Sequence, residues 1–144
     1  MQDNQTSISM TDEETTITGN EDRRLHVRRK TRIKVQLIGS ESLPMRVWTT
    51  DISIAGMSVE CDRQAAQHMA PPGESITPAQ PKQFTARFTV SVDGEERTLT
   101  LFTKIVSVNR IAQDRYHANI NFESFGGKSQ TYLQSYVASL PAPT

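Results

Sequence analysis

Two short stretches carry the side chains best suited to ligand chemistry. One is the basic run Arg23-Arg24-Leu25-His26-Val27-Arg28-Arg29-Lys30-Thr31-Arg32, and the other is Asp51-Ile52-Ser53-Ile54-Ala55-Gly56. A guanidinium is permanently charged. Its planar fork of donors fits a phosphate or the O6 and N7 edge of guanine, and it stacks on a purine face. Arg24 and Arg28 stand four apart, which places both on one side of a helical turn, whereas in an extended segment they need a folded ligand between them. The Asp51 carboxylate accepts from the N1 and N2 donors of a guanine, and the Ser53 hydroxyl serves with either polarity. Gly56 permits a turn or a close approach closed to other residues. Alone, an arginine-rich decamer is most often a solvated basic face, and such a hexapeptide is most often a turn between strands. The two in this order, separated by one strand hairpin, are far more specific than either.

Sequence support for catalysis is absent. His26, His68 and His117 sit in three separate segments, with neither an HExxH pair nor a Cys/His spacing, so no metal or cofactor site is expected. No nucleophile elbow, Walker loop or GxGxxG is present, and Cys61 falls on the inward face of a strand, where a thiol is inert. The expectation is a protein that binds and does not catalyse.

The elements that must position these residues are mostly strands. From Arg32, the residues Ile33, Val35 and Leu37 alternate with Arg32, Lys34 and Gln36, which reads as a strand with one buried face. Met45 to Thr50 returns, Asp51 to Gly56 makes a tight turn, and Met57, Val59 and Cys61 point inward from the next strand. Gln64 to Met69 has room for one or two helical turns, but Pro71, Pro72, Pro78 and Pro81 make residues 62 to 81 read as one long surface loop. Phe84 to Val92 resumes the period of two, Asp93-Gly94 signals a hairpin, and Arg97 to Val108 is its partner. A polar break at Asn109 to Asp114 precedes a last strand, Tyr116 to Phe122. Ser129 to Leu140 has a helical stripe of Tyr132, Leu133, Tyr136, Val137 and Leu140, closed by Pro141. About six close-spaced strands and one terminal helix predict an all-β, six-stranded antiparallel barrel with a C-terminal helix at about 128–140.

A chain of 144 residues with 35% hydrophobic and 22% charged residues suffices for one core without disulfides or metal. No apolar run approaches the roughly 20 residues that span a bilayer, the first residues lack a secretory pattern, and a lone cysteine forms no internal disulfide. A cytoplasmic protein without membrane insertion is expected. The zero net charge argues against a surface devoted to nucleic acid or anionic lipid. It also conceals a segregation: residues 1 to 22 carry only the acidic Asp3, Asp12, Glu13, Glu14, Glu21 and Asp22, and the sign reverses at Arg23. Residues 1–20 are expected to be a disordered acidic and polar tail, 21–140 the folded domain, and 141–144 a second tail.

The spacing Arg24-x-x-x-Arg28 followed by Asp51-x-Ser53-x-x-Gly56 resembles the PilZ domain, and the similarity runs from about Glu21 to Leu140, including the strand count and terminal helix. That resemblance implies a bacterial receptor for cyclic di-GMP built on a six-stranded barrel. Arg24 and Arg28 would hold phosphates and guanine edges, Asp51, Ser53 and Gly56 would complete the guanine site, and Arg23 and Arg29 would be auxiliary contacts. Arg28 and Arg32 form a competing RxxxR register; Arg24 with Arg28 is preferred because Arg32 belongs to the outer face of the following strand. The chain has Asn119 where members of the family often carry glycine, and Lys30 where many carry proline. The implied mechanism is a mobile arginine segment that orders on the nucleotide and signals to an effector protein, with the receptor a monomer or homodimer. The rivals are a nucleotide-free interaction adaptor of the same fold and a binder of single-stranded nucleic acid. The second would need exposed aromatics near the basic run, and Trp48, the one candidate, is expected in the core or at the barrel rim.

Overall fold

The computed structural model describes residues 27–40, 44–71 and 82–141. The tail expected over residues 1–20, and both Arg23 and Arg24, lie outside them. Among the described residues there are seven strands: β1 (Arg29–Lys30), β2 (Lys34–Ile38), β3 (Met45–Ile52), β4 (Gly56–Cys61), β5 (Lys82–Val92), β6 (Glu95–Ala112) and β7 (Arg115–Phe125). Two helices accompany them among the described residues, α1 (Arg63–Met69) and α2 (Ser129–Ser139). The order β3-β2-β5-β6-β7-β4 returns to β3 through a β3–β4 pairing, which closes a six-stranded antiparallel barrel; β1 is a further short strand on β3. Closure pairs each of these six strands on both sides.

Strict alternation builds the interior. Phe84, Ala86, Phe88, Val90 and Val92 of β5 face inward and are all buried, as are Val35, Leu37, Met57, Val59, Leu99, Leu101, Ala118 and Ile120. The β5–β6 connection is the expected two-residue turn. Asp93 and Gly94 both take positive φ, 53° and 81°, the mirror-image turn whose twist matches that of paired strands. From α2, Leu133, Tyr136 and Val137 enter the core against β5 and β6.

Two segments differ from the sequence reading. Residues 63–69 form a helix instead of part of a loop: the Asp62 carboxylate accepts from the Ala65 N–H at 2.9 Å, and Ala65, Ala66 and Met69 are buried against the barrel. The prolines that suggested a loop all come after this helix. The polar break expected at Asn109 to Asp114 is also absent, since β6 runs on to Ala112 and turns at Gln113-Asp114. Residues 109–115 are exposed on both faces, so the hydrophobic alternation disappears while the backbone ladder continues. Arg63 ties this protruding hairpin to α1, its N–H donating to Asp114 Oδ1 at 3.0 Å and its Nη2 to the Gln113 carbonyl at 3.2 Å. Among the described residues no helix is long and apolar enough to cross a membrane.

Candidate functional site

The site residues within the described chain gather where β1, β3 and β4 meet on the outer surface of the barrel. β1 and β2 both pair with the same edge of β3 and are separated by Thr31–Ile33, where the ladder is interrupted. The side chain of Thr49 fills the gap. Fully buried, its Oγ1 accepts from the Ile33 N–H and donates to the Thr31 carbonyl, both at 2.8 Å. Two backbone groups that would otherwise be orphaned are thereby satisfied, which holds the basic segment on the barrel wall.

One residue further, β3 is bulged. Thr49 pairs with Val59 and Asp51 with Ser58, so Thr50 is the extra residue in the β3–β4 ladder. Continued alternation from Met45, Val47 and Thr49 would send Asp51 into the core. The inserted residue reverses the phase, so that Asp51 faces outward and Ile52 is fully buried. Arg28 Nη1 donates to Asp51 Oδ1 at 2.8 Å and to Ser58 Oγ at 3.3 Å. The two halves of the split motif therefore touch. With side-chain exposures of 36% and 29%, this ion pair contributes at most about 1 kcal/mol, and an incoming anion can displace it at small cost.

Ser53 and Gly56 serve the turn that follows. The Ser53 hydroxyl is buried; it accepts from the N–H groups of Ala55 at 3.1 Å and Gly56 at 3.2 Å and lies 3.3 Å from the Gly56 carbonyl. Gly56 is glycine for space, because a Cβ there would stand 2.4 Å from the Ile120 carbonyl oxygen of β7. The glycine thus meets the neighbouring strand, where the sequence had suggested a turn or a ligand.

The other arginines diverge. Arg29 points to the far side of its strand, where Nη1 donates to the carbonyls of Leu140 (2.8 Å), Val137 (3.2 Å) and Ala138 (3.4 Å) at the end of α2. A cation is favourable there, since the last helical carbonyls have no intrahelical partner. Its Nε is buried with no hydrogen-bond partner among the described residues. Thr31 adds a second tie to the helix, 2.6 Å from the Tyr136 hydroxyl. Arg32 stands 3.7 Å from Glu60, with its guanidinium 5.1 Å from the ring centre of Trp48; the Lys34 ammonium is 5.6 Å from the same ring. Trp48 is 39% exposed on the outer wall, which corrects its expected place in the core or rim. Arg28, Arg29 and Arg32 thus turn to different partners: Asp51 and Ser58, the end of α2, and Glu60.

Sequence reasoning missed the row beyond Arg28. Ser58 Oγ donates to Asn119 Oδ1 and Asn119 Nδ2 to Ser107 Oγ, both at 2.9 Å. These residues are neighbours across β4, β7 and β6, since Ser58 pairs with Asn119 and Asn119 with Ser107. The signal for them was one polar residue at an outward position of each strand, which is uninformative until the strand register is known. Elsewhere, burial and then the Asp62 carboxylate push the Cys61 thiol up to about 12, so it is no nucleophile at neutral pH. Among the described residues no group of three His, Cys, Asp or Glu side chains is placed to hold a metal.

No protein-family model and no curated protein matches this sequence. Among solved structures, the chain is similar to the Bacillus subtilis inhibitor of motility MotI/DgrA, at 16% identity and a TM-score of 0.56, over 81% of this chain and 50% of that one. It is also similar to the PilZ domain of YcgR from Escherichia coli, solved with c-di-GMP, at 16% identity and a TM-score of 0.57, over 82% of this chain and 91% of that one. This chain spans half the length of MotI/DgrA. The likeness is one of fold: the barrel, its appended strand and its terminal helix form a PilZ-like domain.

Proposed function

We propose that this PilZ-like domain is a receptor for cyclic di-GMP, acting as an adaptor without catalysis. The observation that carries the reading is the contact between Arg28 and Asp51, a cationic donor fork beside a carboxylate on the outer barrel wall. In the bound state Arg28 leaves Asp51 for a phosphate and Arg24 joins it. The freed carboxylate accepts from the N1 and N2 donors of a guanine over the turn shaped by Ser53 and Gly56. Arg23 flanks this site. Arg29 contributes by keeping the segment docked on α2 while its neighbour changes partner. Two phosphates and two guanines offer enough charge-assisted bonds for micromolar affinity or better after ordering costs of about 2–5 kcal/mol. The folded unit is residues 21–140, flanked by tails at 1–20 and 141–144, in a cytoplasmic monomer or homodimer. The exchange of partners around the bound nucleotide then presents a new surface to an effector protein that governs motility, biofilm or exopolysaccharide output.

Calorimetric titration with cyclic di-GMP, with GTP and a short single-stranded oligonucleotide as controls, tests this. Saturable heat with cyclic di-GMP alone, lost in Arg28→Ala with an unchanged far-ultraviolet spectrum, is the expected result. No heat at tens of micromolar protein would sink the receptor reading. The oligonucleotide arm has its own rationale, because exposed Trp48 between Arg32 and Lys34 resembles the aromatic and cationic platforms on which single strands stack.

A further inference from the structure

The geometry points to Ser58, Asn119 and Ser107 as a positioning relay that sets the direction of Arg28 for anion capture. The inference rests on the proposed role of Arg28 in binding the ligand. Its basis is hydrogen-bond polarity. A guanidinium has no acceptor, so Ser58 Oγ, 3.3 Å from Arg28 Nη1, must accept there and send its own proton elsewhere. That proton goes to Asn119, 2.9 Å away, and the atom facing it must be the amide oxygen. The Asn119 amide orientation follows, with Nδ2 facing Ser107 Oγ at 2.9 Å as donor. All three bonds therefore run in one direction, away from the cation. Dipoles so aligned strengthen one another, and the row presents its acceptor end to Arg28.

The row is also shielded. Ser58 is only 4% exposed although it lies on the outward face of β4, and Asn119 and Ser107 are half-buried. Bonds in such a place keep their direction, whereas the Arg28–Asp51 pair beside them is wet and easily exchanged. The two partners of Arg28 thus divide the work. Asp51 is released on capture, and Ser58 stays, holding the guanidinium over the floor while its other donors turn to the phosphate. Without the Asn119 oxygen, the Ser58 proton is free to rotate toward Arg28, setting donor against donor.

Ligand-free and ligand-bound measurements together test the relay. In the ligand-free protein, the Arg28 Nε–H resonance, assigned with Arg28→Lys, is expected to shift in Asn119→Leu and Ser58→Ala and to stay in place in Ser58→Thr, which retains the hydroxyl. In titrations with cyclic di-GMP, Asn119→Leu is expected to weaken binding roughly fivefold to tenfold, the net size of one ordinary hydrogen bond. Ser58→Ala/Asn119→Leu should be no weaker than the worse single variant within about twofold, because the two act in series through Arg28. An unmoved Arg28 resonance in Asn119→Leu overturns the relay whatever the ligand is. So does undiminished binding, or losses that add, which would make Asn119 an independent contact. A resonance that moves while the unsubstituted protein binds no cyclic di-GMP upholds the positioning of Arg28 and removes only the receptor reading. Should Asn119→Leu fail to fold by thermal unfolding, Asn119→Ala, which also lacks the oxygen, takes its place with the same expectations.

Discussion

Replacing Gly56 with alanine isolates the reason for the last residue of the Asp51-x-Ser53-x-x-Gly56 motif. The added Cβ would lie 2.4 Å from the backbone oxygen of Ile120 and 3.4 Å from Asn121 Cα. Its obstacle is the neighbouring strand, which cannot swing aside as a flexible side chain would. β4 and β7 are joined by six register pairs from Gly56–Asn121 to Cys61–Tyr116, and the Phe122 N–H donates to the Ala55 carbonyl at 2.9 Å. Relief requires the strands to part by more than half an ångström at one end of this ladder. Overpacking of this kind costs about 1–3 kcal/mol, and a stretched ladder bond adds about 1 kcal/mol, so about 2–4 kcal/mol is expected. In urea the unfolding midpoint should fall by at least about 1 M at unchanged slope. Gly94→Ala is the informative control: Gly94 has φ +81° and nothing within 4 Å of its virtual Cβ, so only the left-handed backbone resists, at about 1 kcal/mol. If Gly56→Ala unfolds no earlier than Gly94→Ala, the glycine is not required by strand spacing and the argument fails.

Thr49→Val keeps the shape of the side chain but strands the Ile33 N–H and the Thr31 carbonyl; a loss of about 2–3 kcal/mol is expected, with faster hydrogen exchange at Ile33, and unchanged exchange there would refute the bridge. Arg29→Met retains the apolar stem and removes the cation from the end of α2; a loss of about 1–2 kcal/mol should appear together with faster amide exchange in the last turn, near Leu140. Cys61 should resist alkylation at pH 8 in the folded protein and react readily in urea. Because its thiol is raised from the ordinary 9.0 to about 12, the stability it contributes is complete below pH 9 and is lost as pH rises from 9 through 12; Cys61→Ala should flatten that part of the stability profile.

The sequence readings that held depended on local periodicity. The alternation of Phe84 to Val92 gave the buried face of β5, Asp93-Gly94 gave the turn, and the stripe of Leu133, Tyr136 and Val137 gave the buried side of α2. Readings failed where exposure or order along the chain misled. At Asn109–Asp114 a ladder continued with both faces wet, and after Asp62 a cluster of prolines obscured a capped helix that precedes them. Trp48 was expected in the core or at the rim by its chemistry, yet its position in the alternation of β3, between buried Val47 and Thr49, puts it on the outer wall, where Arg32 and Lys34 flank it.

Residue types, and their spacing within each stretch, were enough to single out Arg28 and Asp51 as candidates for one ligand site and to call for a barrel between them. Sequence alone could not decide which way Asp51 faces. One extra residue at Thr50 determines it, and a bulge depends on how two strands register against each other, which no periodicity within one strand encodes. The same holds for the roles of Gly56, whose constraint is the Ile120 carbonyl, and Arg29, whose partners lie more than a hundred positions away at the end of α2. The row Ser58, Asn119 and Ser107 is the clearest case: three ordinary polar residues on three strands become one directed chain of hydrogen bonds only when barrel closure sets them side by side.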